Sequence, residues 1–292
     1  MEGKVNLRHP YFFIFVFIGI AATLTSCAPK SSEGDSRASG SGNNYGLMAG
    51  PTSILQGSRK FTTDALVFNG TGTWSPEPSS LESILSSHGA TYREVSSAEL
   101  NEMSVDDLSQ FGAIVWPGGI ALKQANSLSA TTKDNLRRAV QERGVSWIGF
   151  CAGAFIAAAP AEHNASYTIG IVDTPLLDMY YLEQQLERAG KTDISMTMES
   201  FPDGSKRDLV WYGGPITPSG HNMVIAKYPT GDAAISQMWS GNGFLILSGV
   251  HPGAPQSTRR YFSLVDSDGT DFDLAWTLLE AAINQKALPT FN

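Results

Sequence analysis

Apolar and polar positions switch repeatedly between a two-residue and a 3.6-residue period along residues 61–283, so strands and helices are expected in turn. Ala65-Leu66-Val67-Phe68 is a short apolar run closed by Asn69-Gly70, as a buried strand would be. Leu81, Ile84 and Leu85 share a helical face within Pro78–His88, and Gly89 stands where a C-terminal cap belongs. Tyr92–Val95 and Ala113–Trp116 predict further strands, the latter stopped by Pro117-Gly118-Gly119. A Leu136/Ala139/Val140 stripe predicts a helix over Thr131–Glu142, Val145–Phe150 reads as a fourth strand, and Cys151–Ala159 as a helix of small residues. Past Pro160 the pattern predicts a helix over Leu176–Ala189 and strands at Ile194–Met198, Leu209–Tyr212 and Met223–Tyr228. Ala233–Trp239 and Phe244–Gly249 flank Ser240-Gly241-Asn242-Gly243, a hairpin signal, and Phe272–Ile283 closes the pattern as an amphipathic helix. Strands alternating with helices imply an α/β domain around a mostly parallel sheet, and no linker interrupts residues 61–292.

The first 60 residues follow another logic. Lys4 and Arg8 precede an apolar run from Tyr11 to Leu24, shorter than the roughly 20 residues a spanning helix needs and suited to a secretory signal. The run ends in Leu24-Thr25-Ser26-Cys27, which resembles a bacterial lipobox, with Cys27 as the lipidated residue after removal of residues 1–26. By that resemblance, Ala28 rather than Asp after the cysteine implies the outer membrane, facing the periplasm. Residues 27–60 are rich in Ser and Gly and poor in large apolar side chains, so they are expected to form a flexible tether. The partner this implies is a membrane, reached through the lipid anchor.

Composition narrows the chemistry. The net charge is −8 with a pI near 5.1, and losing Lys4, Arg8 and Glu2 with the signal makes it −9. That balance argues against nucleic acid as a partner. Two cysteines exclude a disulfide scaffold, and five histidines without an i, i+4 pair make a metal site an unpromising reading. No cofactor is implied: Gly70-Thr71-Gly72 lacks the third glycine of a dinucleotide loop, with Ser75 in its place.

Gly149-Phe150-Cys151-Ala152-Gly153 fits the G-x-S-x-G elbow with cysteine as the nucleophile. A strand that turns sharply into a helix needs small residues two positions to either side, and the helix start favours a thiolate and a developing oxyanion. The bland reading is a structural cysteine in a Gly/Ala-rich junction. Pro117-Gly118-Gly119 ends the neighbouring strand, and a backbone without Cβ there can aim the Gly119 N–H, with that of Ala152, at an oxyanion. His251 lies just beyond the strand Phe244–Val250, where working groups gather in doubly wound sheets, and is the candidate base. His163 and His221 sit in polar loops and are set aside.

Taken together, Pro117-Gly118-Gly119, Gly149–Ala154 and Val250-His251-Pro252 resemble the class I glutamine amidotransferase-like superfamily. Phe150-Cys151-Ala152-Gly153-Ala154 and Trp211-Tyr212-Gly213-Gly214-Pro215 point within it to the biotin-protein ligase N-terminal domain family, over residues 63–283. The resemblance implies a flavodoxin-like, doubly wound α/β fold with a cysteine elbow. That class usually carries His-Pro-Glu, the Glu orienting the imidazole; here Gly253 follows, and Asp266, Asp268 and Glu162 are the acids considered instead. Trp211–Pro215 reads equally as a pocket wall or an ordinary strand turn. The leading expectation is a Cys-His amide or ester hydrolase of the cell envelope taking a small-molecule or peptide-like ligand. The alternatives are a non-catalytic binding module that retains the elbow, and glutamine amidotransfer. The sequence leaves the oligomeric state open.

Overall fold

A computed structural model describes residues 60–158, 167–180 and 194–292. The strands are β1 (Thr63–Phe68), β2 (Tyr92–Val95), β3 (Phe111–Trp116), β4 (Ser146–Phe150), β5 (Ile194–Ser200), β6 (Lys206–Tyr212), β7 (Val224–Lys227), β8 (Ala233–Ser240) and β9 (Gly243–Ser248). The helices are α1 (Pro76–Ser87), α2 (Ser97–Glu102), α3 (Val105–Leu108), α4 (Ala121–Asn126), α5 (Ala130–Gln141), α6 (Ala152–Ala157), α7 (Gln256–Tyr261) and α8 (Phe272–Asn284). The strands form one sheet in the order β2-β1-β3-β4-β9-β8-β7-β5-β6. The first five are parallel neighbours, giving the flavodoxin-like order, and β8, β7, β5 and β6 extend them in antiparallel fashion.

The side-chain period of two divides the central strands between two cores. Ala65, Val67, Ala113, Val115, Ile148 and Phe150 meet Leu81, Ile84 and Leu85 of α1 and Leu274, Leu278 and Leu279 of α8. Their sequence neighbours Leu66, Phe68, Ile114, Trp116 and Trp147 pack on the other face with Leu136, Ala139 and Ile156. Both faces are covered, so these strands read as continuous apolar runs. Phe68, Trp116 and Trp147 stack at 3.9 and 4.9 Å beneath the turn that leaves β4. Gly241, the first of two residues between β8 and β9, has φ +57, which explains glycine in that hairpin.

Two expectations change. Residues 176–180 are not helical: Met179 bridges Pro215, and Tyr180 N–H donates to Gly214 O, so the backbone pairs across to the turn after β6. The remainder of the expected Leu176–Ala189 helix lies outside the described residues, as do the signal segment, Cys27 and the tether up to Arg59. The short helices α2 and α3 were not expected; each is opened by a capping box, Ser96 with Glu99 and Ser104 with Asp107. Among the described residues no helix is long and apolar enough to cross a membrane.

Candidate active site

Four neighbouring parallel strands, β1, β3, β4 and β9, deliver their C-terminal ends to one place. Cys151 leaves β4 with φ 48 and ψ −101, a conformation rare for a residue with a side chain and the mark of a strained elbow. Its N–H is held by Ser248 O at 2.7 Å. The glycines on either side are sterically required. A Cβ on Gly149 would stand 2.3 Å from Gly153 O, and one on Gly153 would stand 2.3 Å from Trp116 O. Small residues at these places are therefore a demand of backbone approach, as the sequence suggests.

His251 follows β9, its own N–H donating to Val210 O at 2.8 Å. Its Nδ1–H donates to Glu77 Oε1 at 2.8 Å, and Glu77 Oε2 accepts the Gly118 N–H at 2.6 Å. Both side chains are buried, Glu77 completely. The orienting acid is thus Glu77, from the first turn of α1, and none of the three acids considered from sequence. Asp266 is engaged by Arg259, Asp268 accepts the Asp208 N–H, and Glu162 lies outside the described residues. A larger side chain at position 253 requires the end of the Leu81 side chain to shift. A Cβ on Gly253 would meet Leu81 Cδ2 at 2.8 Å, and Leu81 lies one helical turn beyond Glu77. The helix that packs against Gly253 supplies the carboxylate itself.

Burial by itself would make His251 harder to protonate. The Glu77 charge, a hydrogen bond with Cys151 and the Glu77 hydrogen bond overcome that and raise its pKa to about 10. Cys151 is close enough to act on the imidazole, yet its Sγ–H donates to Tyr212 O at 3.3 Å, which leaves Nε2 without a partner of regular hydrogen-bond geometry. The thiol is 5% exposed, so the site is nearly closed.

The Pro117–Gly119 turn is held from several sides. Gln124, fully buried, accepts from Trp116 Nε1 and donates to Pro117 O and Gly118 O. A Cβ on Gly118 would stand 2.4 Å from His251 Cε1, so the imidazole lies directly on that glycine. Gly119 has φ +141 and sits against Gly72 O. The Gly118 N–H is used by Glu77, whereas the N–H groups of Gly119 and Ala152 make no hydrogen bond among the described residues.

Trp74 stands over this arrangement, edge-on to His251 at 5.0 Å and to Tyr212 at 5.8 Å. The Trp211–Pro215 segment divides between the two readings: Tyr212 carries the acceptor for the thiol, while Trp211 is core and bonds Gly214 O through Nε1. His221 is exposed in a turn, and His163 lies outside the described residues. Glu77 and Gln124 were missed by sequence reasoning. Pro76-Glu77-Pro78 marks a helix start, but nothing local announces that its acid reaches a histidine 174 positions away. Among the described residues no group of His, Cys, Asp and Glu could hold a metal ion.

Residues 63–180 match the family described as biotin-protein ligase, N terminal, a span that holds Glu77, Gly119 and Cys151 but not His251. No curated protein matches the chain. Among solved structures it is similar to a glutamine amidotransferase, at 16% identity over 68% of this chain and 96% of that one, TM-score 0.47. It is also similar to the cytoplasmic protein STM1381 from Salmonella typhimurium LT2, at 10% identity over 75% of this chain and 99% of that one, TM-score 0.47. A third is the exo-beta-1,4-mannosidase Op5Man5 from Opitutaceae bacterium strain TAV5, at 10% identity over 76% of this chain, TM-score 0.41. The match spans only 36% of the mannosidase. At these identities the likenesses carry nothing about chemistry.

Proposed function

From the match of residues 63–180 to the family described as biotin-protein ligase, N terminal, we propose that the protein is a cysteine hydrolase of amides or esters with Cys151, His251 and Glu77 as its triad. The observation that carries the reading is the buried His251–Glu77 pair placed beside an elbow cysteine. Glu77 fixes the imidazole with Nδ1 protonated, so Nε2 is the nitrogen turned to chemistry. Cys151 Sγ, whose proton rests on Nε2 in the imidazolium that Glu77 stabilises, attacks the carbonyl carbon, and the Gly119 and Ala152 N–H groups receive the oxyanion. The C–N or C–O bond breaks as Nε2–H protonates the leaving amine or alcohol, which leaves a thioester on Sγ. Water then loses a proton to Nε2, its oxygen bonds to the acyl carbon, and the acid departs as the C–S bond breaks, which leaves the proton on Nε2 as at the start. The place of action we propose is the cell envelope, through lipid on Cys27 and the Ala28–Arg59 tether.

The test is turnover of simple 4-nitrophenyl esters and anilides by the protein and by Cys151→Ala and His251→Asn. Hydrolysis abolished by either substitution supports the reading. A wild-type rate no higher than that of Cys151→Ala overturns it. A second reading, a binding module without catalysis, rests on the closed thiol and its bond to Tyr212 O. It predicts that outcome, together with unchanged ligand binding in Cys151→Ala. Glutamine amidotransfer predicts ammonia release from free glutamine that His251→Ala removes.

A further inference from the structure

A ladder of rings leads from the imidazole to the surface. Trp74 touches His251 and Tyr212 with its edge, Tyr212 meets Phe262 at 6.1 Å, and Phe262 meets Tyr261 at 4.8 Å. Trp74, Met196, Tyr212, Phe262 and Leu264 are each half-buried around Ile194, Val210 and Ala254. The ladder ends in the open: Tyr261 is 82% exposed, and Val265 beyond it 85%. Large side chains this exposed are few among the described residues, and these two lie next to the cluster that borders the reacting sulfur.

Two of the guanidiniums near the same surface are already paired. Of the two guanidiniums of α7, Arg259 is buried and taken up by Asp266, Asp271 and Ala254 O, whereas Arg260, next to Tyr261 in the chain, is exposed. Arg207 is taken up by Asp273 and Asp271. A ligand held here gains from apolar area and from edge contacts with rings.

Resting on the hydrolase reading, we propose that the ladder is the acyl subsite, and that the substrate class is an amide or ester whose acyl group ends in an aryl or similarly bulky apolar group. The acyl chain extends from the thioester carbon past Tyr212, with Trp74 on one side and Phe262 on the other. Trp74 and Phe262 then determine specificity, and Tyr261 forms the outer edge of the subsite.

The experiment compares 4-nitrophenyl 3-phenylpropanoate with 4-nitrophenyl acetate, each kcat/KM divided by the ester's own hydroxide rate so that the shared leaving group cancels. The wild type is expected to prefer the phenylpropanoyl ester by about tenfold or more. Phe262→Ala is expected to bring the ratio close to one, and Tyr261→Ala to lower it about two- to threefold. Tyr261 is so exposed that its loss leaves folding untouched, which keeps the test decisive if Phe262→Ala does not fold. A ratio near one in the wild type, or one unmoved by either substitution, overturns the subsite while leaving the hydrolase intact. Failure of both esters to react at Cys151 overturns the hydrolase reading, and the subsite with it.

Discussion

Replacing Glu77 by Gln changes one oxygen for one nitrogen in a side chain with no exposure, so its consequences follow from the hydrogen bonds around it. The carboxylate accepts from His251 Nδ1 at 2.8 Å and from Gly118 N at 2.6 Å. Both neighbours are donors and an amide has one acceptor oxygen, so either one of the two bonds is lost or His251 takes the tautomer in which Nδ1 accepts and Nε2 carries the proton, the wrong one for a base. A lost hydrogen bond to a charged group is worth about 1.5–3 kcal/mol, and breaking a buried pair on one side costs about 3–5 kcal/mol. The sign of the pH dependence is also fixed. His251 is raised to about 10 in the fold, from an ordinary 6.5 in the unfolded chain. The pair's contribution is therefore complete below about pH 6.5 and disappears as pH climbs through 10. In Glu77→Gln both raising effects of Glu77 are gone while burial remains, so the His251 pKa falls and that pH dependence shrinks. Ester turnover at pH 7 is expected to fall by about 10²–10⁴-fold, the usual span for positioned acid–base catalysis. Thermal unfolding from pH 6 to 10, followed by circular dichroism, gives the stability side, and steady-state ester hydrolysis gives the catalytic side. A variant whose turnover stays within twofold of wild type, with the same slope of stability against pH, would refute the reasoning.

Other substitutions test other parts of the account. Adding Gly253→Glu to Glu77→Gln is expected to leave turnover at the single variant's level, because the new side chain meets Leu81 before the imidazole; restored turnover would show that the two acid positions are interchangeable. Gly153→Ala places a methyl 2.3 Å from Trp116 O and should cost about 2–3 kcal/mol or more in urea unfolding; a loss under about 0.5 kcal/mol would disprove the tight elbow. Glu199 is wholly buried, its Oε2 has no partner, and burial raises its pKa well above the ordinary value. The unfolded chain ionises first as pH rises above about 4.5, so Glu199 costs stability above that pH; Glu199→Gln should raise the Tm more at pH 8 than at pH 5, and an equal change at both would contradict this. Leu278→Ala, on the buried face of α8, should destabilise by about 2–5 kcal/mol in the same assay, and a neutral result would place that face outside the core.

Much of the central fold is legible from local pattern because both faces of β1, β3, β4 and β9 are buried. Val145–Phe150 and Phe244–Gly249 are apolar without a break, and glycines at 149 and 153 leave an elbow as the economical reading. Cys151, Gly119, Ala152 and His251 were legible for a related reason: each follows directly from the end of a strand, a place the sequence marks with Gly or Pro. Glu77 was not, because it lies nine positions past the end of β1 and acts through a contact that exists only once α1 has packed on the sheet. Gly253 signals that the usual acid is absent, but only the fold shows that α1 packs against it and supplies the charge. The stretch 176–180 misled because Leu176, Leu177 and Tyr180 also suit helical spacing, while a backbone pairing with residues 214–216 decides the outcome.

The most direct test of the triad is intact-mass analysis of the protein mixed with 4-nitrophenyl acetate at pH 7 and quenched in acid within one turnover, with peptide mapping of the adduct. The account predicts one acetyl group on Cys151 in the wild type, and little or none at that time in His251→Asn and Glu77→Gln. Equal acetylation of Cys151 in all three proteins, or none in the wild type, would contradict it.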